Sequence, residues 1–354
     1  MVKNKKTKVV HILWSFGNGG MENIVKSLLI PQNKNYQSSL ILVNEDEDKN
    51  ATKDIPAEII SRINRKRGSK NIFKILKLLI TIISFRPDII HIHYFDLIKW
   101  INPLKKIINF KIVITIHGMS DYNKSIKHCD AVVFVSHEHQ NTILNQCITE
   151  NIPTNNFNMI YNGIEIPKFL KKDAINLHQL KFVCIGRLNH LQKRQDVILK
   201  AFKDLLKSYP NTTMTFYGSG SSEEYLIKLK DKLKLFDNVF FKGSVENKEM
   251  IKHMHNYDVM ISASKVETFG LNIIECLSIG IPVITYPAPA IKEITKDNPL
   301  AIYYSSNEEL IPIVEKKLSI ISNKEREISK RIISNNFDIN LMKKKYYSLY
   351  EKIL

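Results

Sequence analysis

Residues 258–285 read DVMISASKVETFGLNIIECLSIGIPVIT. A short apolar run, 258–262, leads into a loop that carries Glu267. Gly270 stands where a helix over 271–278 begins, and Gly280-Ile281-Pro282-Val283 leads into a second apolar run at 282–285. Runs this short, continuous in apolar character, suit parallel strands covered on both faces. The segment therefore reads as a strand–helix–strand unit.

The same alternation extends outward in both directions. Upstream, strands are predicted at 180–185, 213–217 and 239–241, with helices at 196–208 and 223–234. An earlier and separate series has strands at 9–15, 39–43, 88–94, 111–117 and 131–136, with helices at 22–29 and 72–84. Between the two series lie the turn Tyr161-Asn162-Gly163 and a polar stretch. The expected organisation is α/β with two Rossmann-like domains, residues 1–168 and 169–335, joined by a link near 165–178. A last helix, 336–354, carries Leu341, Tyr346, Leu349, Tyr350 and Ile353 at near-helical spacing and needs an apolar surface to cover. The 354 residues suit two cores better than one.

Composition narrows the class. Hydrophobic residues at 44% and charged residues at 25% are ordinary for a globular chain and exclude disorder as a whole-chain reading. Cys129, Cys147, Cys184 and Cys276 are far apart, with no C-x-x-C pair, and read as buried thiols in a reducing compartment. The apolar run after the basic start is too short for a secretory signal, and lysines interrupt the longest apolar stretch, so a cytoplasmic protein is expected. A net charge of +17 asks for an anionic partner. Charge alone does not choose among nucleic acid, a membrane surface and a phosphorylated substrate. No nucleic-acid-binding motif or aromatic basic platform is present, so nucleic acid is not expected.

Three segments carry chemistry. Phe16-Gly17-Asn18-Gly19-Gly20-Met21-Glu22 follows the first strand and opens a helix, where glycines let backbone N–H groups approach a phosphate. The dinucleotide pattern G-x-G-x-x-G fails at Glu22, which removes a hydride-transfer reading. Gly186-Arg187-Leu188 ends a strand, with Lys193 after it. Two cations at the carboxyl end of a parallel sheet suit a diphosphate. Glu267 and Glu275 enclose seven residues, with Gly270 between them at a helix start. The N–H groups of Gly270, Leu271 and Asn272 would meet an anion, Glu275 would accept from ribose hydroxyls, and Glu267 from those of a sugar.

In this order the segments resemble the retaining glycosyltransferases of family 4, also called group 1. Further members of the ordered set are Arg86-Pro87-Asp88-Ile89-Ile90-His91, Thr115-Ile116-His117-Gly118, Tyr161-Asn162-Gly163-Ile164, Gly218-Ser219-Gly220 and Phe241-Lys242-Gly243-Ser244-Val245. The resemblance implies the GT-B fold, two Rossmann-like domains facing across a cleft, with the last helix crossing back to the N-terminal domain. It also implies a donor site: Arg187 and Lys193 on the diphosphate, Glu275 on the ribose, and Glu267 on the transferred sugar. Gly243 to Val245 would meet the base, Phe269 to Asn272 would line the site, and Gly19-Gly20 would lie on the phosphates. His117 would lie near the sugar and acceptor. Lys193 comes one residue later than is common after Gly-Arg-Leu, so its position is the open question of the set.

The implied reaction moves a sugar from a nucleoside-diphosphate sugar to a glycan or lipid-linked hydroxyl in bacterial surface-glycan assembly. It would proceed by front-face attack, with no metal or other cofactor. The alternatives are a sugar-nucleotide epimerase on the same scaffold and a non-catalytic GT-B subunit. Asp46-Glu47-Asp48 formally matches a metal motif but reads as a solvated loop. His91, His93, His117, His137 and His139 lack the helical pairing with a carboxylate that a zinc site shows. Arg62, Arg65, Lys66, Arg67 and Lys70 lead into an apolar helix from Ile72, and residues 97–108 mix apolar, aromatic and basic types similarly. Both stretches suit peripheral attachment to an anionic membrane. The helix at 72 equally fits a core-facing helix whose lysines reach outward.

Overall fold

The computed structural model describes residues 6–30, 33–118, 122–168 and 174–354. The chain divides into two compact units, residues 1–163 with 339–354, and residues 164–338. The sequence reading set these breaks at 168/169 and 335/336. Backbone pairing explains where they fall: Ile164 N–H donates to Phe337 C=O at 2.8 Å, and Ile164 bridges Asp338. The strand entering the second unit and the strand leaving it thus lie side by side. Of the expected link 165–178, residues 169–173 lie outside the described residues.

In the first unit, β1 (Thr7–Leu13), β2 (Tyr36–Asn44), β3 (Ile60–Arg65), β4 (Ile89–Ile92), β5 (Lys111–Ile116), β6 (Ala131–Phe134) and β7 (Phe157–Met159) form one parallel sheet in the order β3-β2-β1-β4-β5-β6-β7. The second unit has β8 (Lys181–Ile185), β9 (Thr213–Tyr217), β10 (Val239–Phe241), β11 (Val259–Ser262), β12 (Val283–Thr285) and β13 (Ala301–Tyr303), in the order β10-β9-β8-β11-β12-β13. Both orders reverse once, between β1 and β4 and between β8 and β11. That reversal is the Rossmann switch point, where ligands bind open α/β sheets. The sequence reading found the central strands and missed β3, β7 and β13. All three are edge strands: β7 and β13 have three residues each, and β3 alternates exposed and buried positions. Edge strands lack the continuous apolar run that identifies a buried one.

The main helices are α1 (Gly20–Leu29), α2 (Ile72–Phe85), α3 (His137–Thr149), α4 (His190–Lys193), α5 (Gln195–Ser208), α6 (Leu271–Ser278), α7 (Asn323–Phe337) and α8 (Ile339–Ile353). Their starts are chemically marked. Asn71 accepts from the Phe73 and Lys74 N–H groups, Ser136 from His139 N–H, and Ser322 forms a capping box with Glu325. Arg86 adopts the left-handed conformation that ends α2, and Pro87 follows it.

Helix α2 lays one face on the core, with Leu79, Ile83 and Phe85 partly buried against it, and leaves a second apolar face uncovered. It buries only Leu78 and Ile82. Lys74 and Lys77 reach back to the carbonyls of Ile63 and Arg62, at 3.2 and 3.0 Å. Ile72, Phe73, Leu76 and Ile80 are left exposed, Phe73 at 78%. The preceding basic cluster is smaller than the sequence reading supposed. Arg62 is paired with Glu47, and Arg65 lies over Trp14 and donates to Asn44. Lys66, Arg67 and Lys70 remain exposed. The 97–108 stretch is mostly core, since Leu97, Ile98, Ile101 and Leu104 are buried.

The last helix, α8, belongs to the first unit. It buries Met342, Tyr346, Tyr347, Leu349 and Tyr350, and Tyr347 stacks on Tyr36 of β2 at 4.7 Å. Its first turn passes directly over Gly163, where a Cβ would lie 2.6 Å from Ile339 Cα and 3.0 Å from Met342 Cβ. Gly163→Ala should therefore displace α8 and destabilise the first unit by about 1–3 kcal/mol. Urea unfolding checks this: the midpoint should fall, and an unchanged midpoint would show that the helix accommodates the methyl group.

Candidate functional site

The second unit assembles its site where β8 and β11 end. Gly186 leaves β8 with φ +147°, and its N–H donates to Tyr217 C=O at 2.9 Å. Gly218, at φ +135°, passes so close that a Cβ would meet the Gly186 carbonyl oxygen at 2.0 Å. Leu188 N–H bonds Ser219 C=O at 3.0 Å, Gly218 N–H bonds Gly243 C=O at 2.7 Å, and the hydroxyls of Ser219 and Ser244 are 2.8 Å apart. The loops after β8, β9 and β10 are thus laced together. This lacing brings the half-buried Val245 and Gly243 into the same loop group as Arg187. Arg187 is exposed, and its carbonyl accepts from the buried Gln195 side chain at 2.9 Å.

The extra residue before Lys193 is absorbed by α4, a single helical turn. Asn189 caps that turn, and Arg194 ends it in the left-handed conformation at φ 54°. The turn delivers the Lys193 ammonium to the Glu267 carboxylate, and the two form an ion pair. Lys193 therefore sits at the site despite its unusual spacing.

Gly270, at φ +94°, starts α6, and a Cβ there would strike Ile291 at 2.8 Å. Phe269 is buried, edge-on to Phe337 at 5.7 Å. The Asn272 side chain donates to the Ile185 carbonyl at 2.6 Å, tying α6 to the end of β8. Asn272 thus offers a ligand its main chain, together with Leu271 in the same first turn. Glu275, one turn further on, is buried and accepts from the Asn247 amide at 2.7 Å. Burial pushes its carboxyl up to about 7, against the Asn247 bond, which favours the carboxylate. The sequence reading missed Asn247, because a lone polar residue distant in sequence carries no signal of its partner.

In the first unit, α1 begins at Gly20, with Gly19 extended before it. Asp46 is solvent-exposed, as the solvated-loop reading expected, whereas Glu47 and Asp48 hold structure together. Asp48 caps the helix that follows it and accepts from Asn18 at 2.6 Å, and Phe16 bridges Glu47. Glu47 takes a two-pronged bond from Arg62 at 2.6 and 2.7 Å. The Asp48 carboxylate thus ties down the Gly17–Gly20 loop through Asn18.

The histidines separate into two groups. His137 and His139 lie on α3, with His139 edge-on to Phe134 at 5.8 Å. His91 and His93 gather with His117 and with His11, which the sequence reading had passed over. His11 and His91 are register partners on β1 and β4. The ligating atoms of His11, His91 and His93 lie within 4.8 Å of one another. However, both His91 nitrogens face hydroxyls, Tyr350 at 2.7 Å and Thr115 at 2.8 Å, so the ring is already occupied. Burial holds all four imidazoles far below their ordinary range, with His11 and His117 at about 3.

Residues 18–167 match the family model described as Glycosyltransferase Family 4, and residues 165–337 the one described as Glycosyl transferases group 1. The chain belongs to the group 1 glycosyltransferases, family 4. Among curated relatives of this family member are two alpha-monoglucosyldiacylglycerol synthases. The Acholeplasma laidlawii protein is 29% identical over 44% of this chain and 42% of its own length. The Streptococcus pneumoniae protein is 30% identical over 52% and 49%. The matches thus span less than half of each relative. The solved structures that cover 98% of the chain include the following two. HepE from Anabaena, in complex with UDP and glucose, aligns over 99% of its length with a TM-score of 0.77 at 17% identity. The lipopolysaccharide outer core galactosyltransferase WaaB aligns over all of its length with a TM-score of 0.71 at 18% identity. They establish the fold as GT-B.

The buried histidines set an acid limit on the first unit. An unfolded histidine titrates near 6.5, whereas His11 and His117 do so at about 3 when folded. Between these values the unfolded chain binds more protons. Stability is therefore full above pH 6.5 and falls as pH drops, by about 2 kcal/mol per such histidine at pH 5. Urea midpoints measured from pH 7.5 to 5 should decline, and less steeply in His11→Phe. Equal slopes would place the acid loss elsewhere.

Proposed function

We propose that the chain is a retaining transferase that moves a sugar from a nucleoside-diphosphate sugar to a hydroxyl acceptor on a bacterial surface glycan or glycolipid. The observation that carries this reading is the convergence, at the β8/β11 switch point, of Arg187, Lys193, the first turn of α6 and two carboxylates of different character. The diphosphate would take Arg187, Lys193 and the α6 N–H groups, which stabilise the leaving group's charge by preorganised electrostatics. A phosphate drawing Lys193 away releases Glu267 to accept from the sugar's hydroxyls. Glu275, oriented by Asn247, accepts from the ribose. The loop at Gly243 and Val245 meets the base. For the first unit, the family resemblance implies a role for His117 toward the sugar and acceptor and for Gly19 and Gly20 toward the phosphates. The acceptor attacks on the face from which the phosphate leaves, and its proton passes to that phosphate. A metal is not required in this scheme. Sequence relatives named for glucosyldiacylglycerol synthesis and structural neighbours named for lipopolysaccharide and UDP-sugar binding support the substrate classes.

A lipid-linked acceptor is the favoured form of that hydroxyl. The exposed Ile72, Phe73, Leu76 and Ile80 on α2, next to exposed Lys66, Arg67 and Lys70, suit the interface of an anionic bilayer. Among the described residues, no helix is long and apolar enough to cross a membrane, so attachment would be peripheral, at the cytoplasmic face. Sedimentation with liposomes tests this. Binding should require anionic lipid, fall with salt, and weaken in Phe73→Ser and in a Lys66, Arg67, Lys70 triple serine variant. Equal recovery in the supernatant with neutral and anionic vesicles would remove the membrane from the proposal.

Release of nucleoside diphosphate from a panel of sugar nucleotides, in excess EDTA, tests the reaction. Release restored only by Mg²⁺ or Mn²⁺ would overturn metal independence. Calorimetry with UDP tests the donor site. Glu275→Gln loses a charged acceptor, a loss of about 1.5–3 kcal/mol. Because Glu275 titrates near 7 when free, wild-type affinity should fall as pH drops below 7, while the Gln variant stays flat apart from the nucleotide's own titration. The same affinity and the same profile in both proteins would remove Glu275 from the ribose.

A further inference from the structure

We propose that His93 and His11 are positioning residues that couple the tautomer of His117 to their own and fix its ring plane. This rests on the reading of His117 as a group that acts at the sugar and acceptor. Nε2 of His93 lies 3.3 Å from Nδ1 of His11, and Nδ1 of His93 lies 3.1 Å from Nε2 of His117. Adjacent rings are nearly coplanar in orientation, 16° between His11 and His93 and 28° between His93 and His117. The row crosses three neighbouring strand ends, those of β1, β4 and β5.

A neutral imidazole carries one N–H and one lone pair. His93 therefore donates to one neighbour and accepts from the other. Only two arrangements satisfy both links. In one, all three rings hold their proton on Nδ1, and in the other all three hold it on Nε2. The tautomer of His117 is thus coupled to that of the row behind it, so that the three rings share one tautomer, as the bond at one ring nitrogen sets the state of the other. His91 stands outside the row as its brace. Its ring stacks on His93 at 4.4 Å, and the hydroxyls of Tyr350 and Thr115 hold both its nitrogens. Thr115 is held in turn by Tyr346 at 2.9 Å. Through Tyr346 and Tyr350, α8 keeps the plane of the row.

The test combines ¹⁵N NMR of histidine-labelled protein with UDP-glucose hydrolysis, and His117→Gln identifies the His117 signals. Wild-type His117, His93 and His11 should show the same neutral tautomer state at pH 7. His93→Phe keeps the stacking ring and removes both links. It should uncouple His117 from His11, shift the His117 tautomer equilibrium and lower kcat roughly 10- to 100-fold, the cost of removing an orienting partner from a metal-bound histidine, with the KM for UDP-glucose unchanged. His93→Gln, which keeps one donor and one acceptor, should recover part of the loss and serves if the Phe variant fails to fold. Different tautomers among the three rings in the wild type, or His117 signals unchanged in both His93 variants, would overturn the proposal. Full activity in His117→Gln would sink the catalytic reading of His117 and leave the tautomer measurement to stand by itself.

Discussion

Parallel strands impose the constraint on which the rest of this structure depends. When all strands of a sheet run one way, every following loop and every helix N-terminus emerges at the same edge. The order of strands then reverses once in each unit, and two neighbouring loops diverge there. In the second unit this leaves room beside β8 and β11 for Arg187, Lys193, Glu267 and the start of α6. No residue of that set is a neighbour of all the others in sequence; the sheet edge makes them neighbours.

Close backbone approach makes the edge rigid. Gly218 lets its main chain touch that of Gly186 where any side chain would collide, and Gly270 lets Phe269 turn inward while α6 starts. Polar side chains finish the work. Gln195 holds the Arg187 carbonyl and Asn272 holds the end of β8. A site that must meet a diphosphate with preorganised charge gains from loops that have no other arrangement to adopt. The two glutamates then differ by environment alone. Glu267 is neutralised by a lysine, whereas Glu275 is buried beside an amide and pushed up to about 7.

The first unit solves a different problem, that of burying the imidazoles of His11, His91 and His93, with His117 half-buried beside them. Isolated, each would be a costly polar group in an apolar core. Arranged as a row with hydroxyl partners from Thr115, Tyr346 and Tyr350, they satisfy one another while remaining neutral. Helix α8, the last in the chain, supplies two of these hydroxyls. Its apolar face therefore does more than cover the sheet, and the residues that cover it are also those that order the histidines.

The sequence by itself determined the two α/β series, the central strands and the glycine-bearing turns, because local patterning reports burial on both faces and unusual backbone angles. It also named the residues at the second unit's sheet edge, since each lies just after a recognisable strand. Only the tertiary structure decided which partners those residues take. The Lys193–Glu267 pair depends on how one extra residue is wound into α4. The Asn247–Glu275 bond and the His11–His91 register depend on contacts between segments far apart in the chain. The outward face of α2 was equally undecidable, because an amphipathic pattern states that a helix has two faces and not which one the fold will cover. Local sequence encodes what each residue prefers; long-range packing selects which preferences are met.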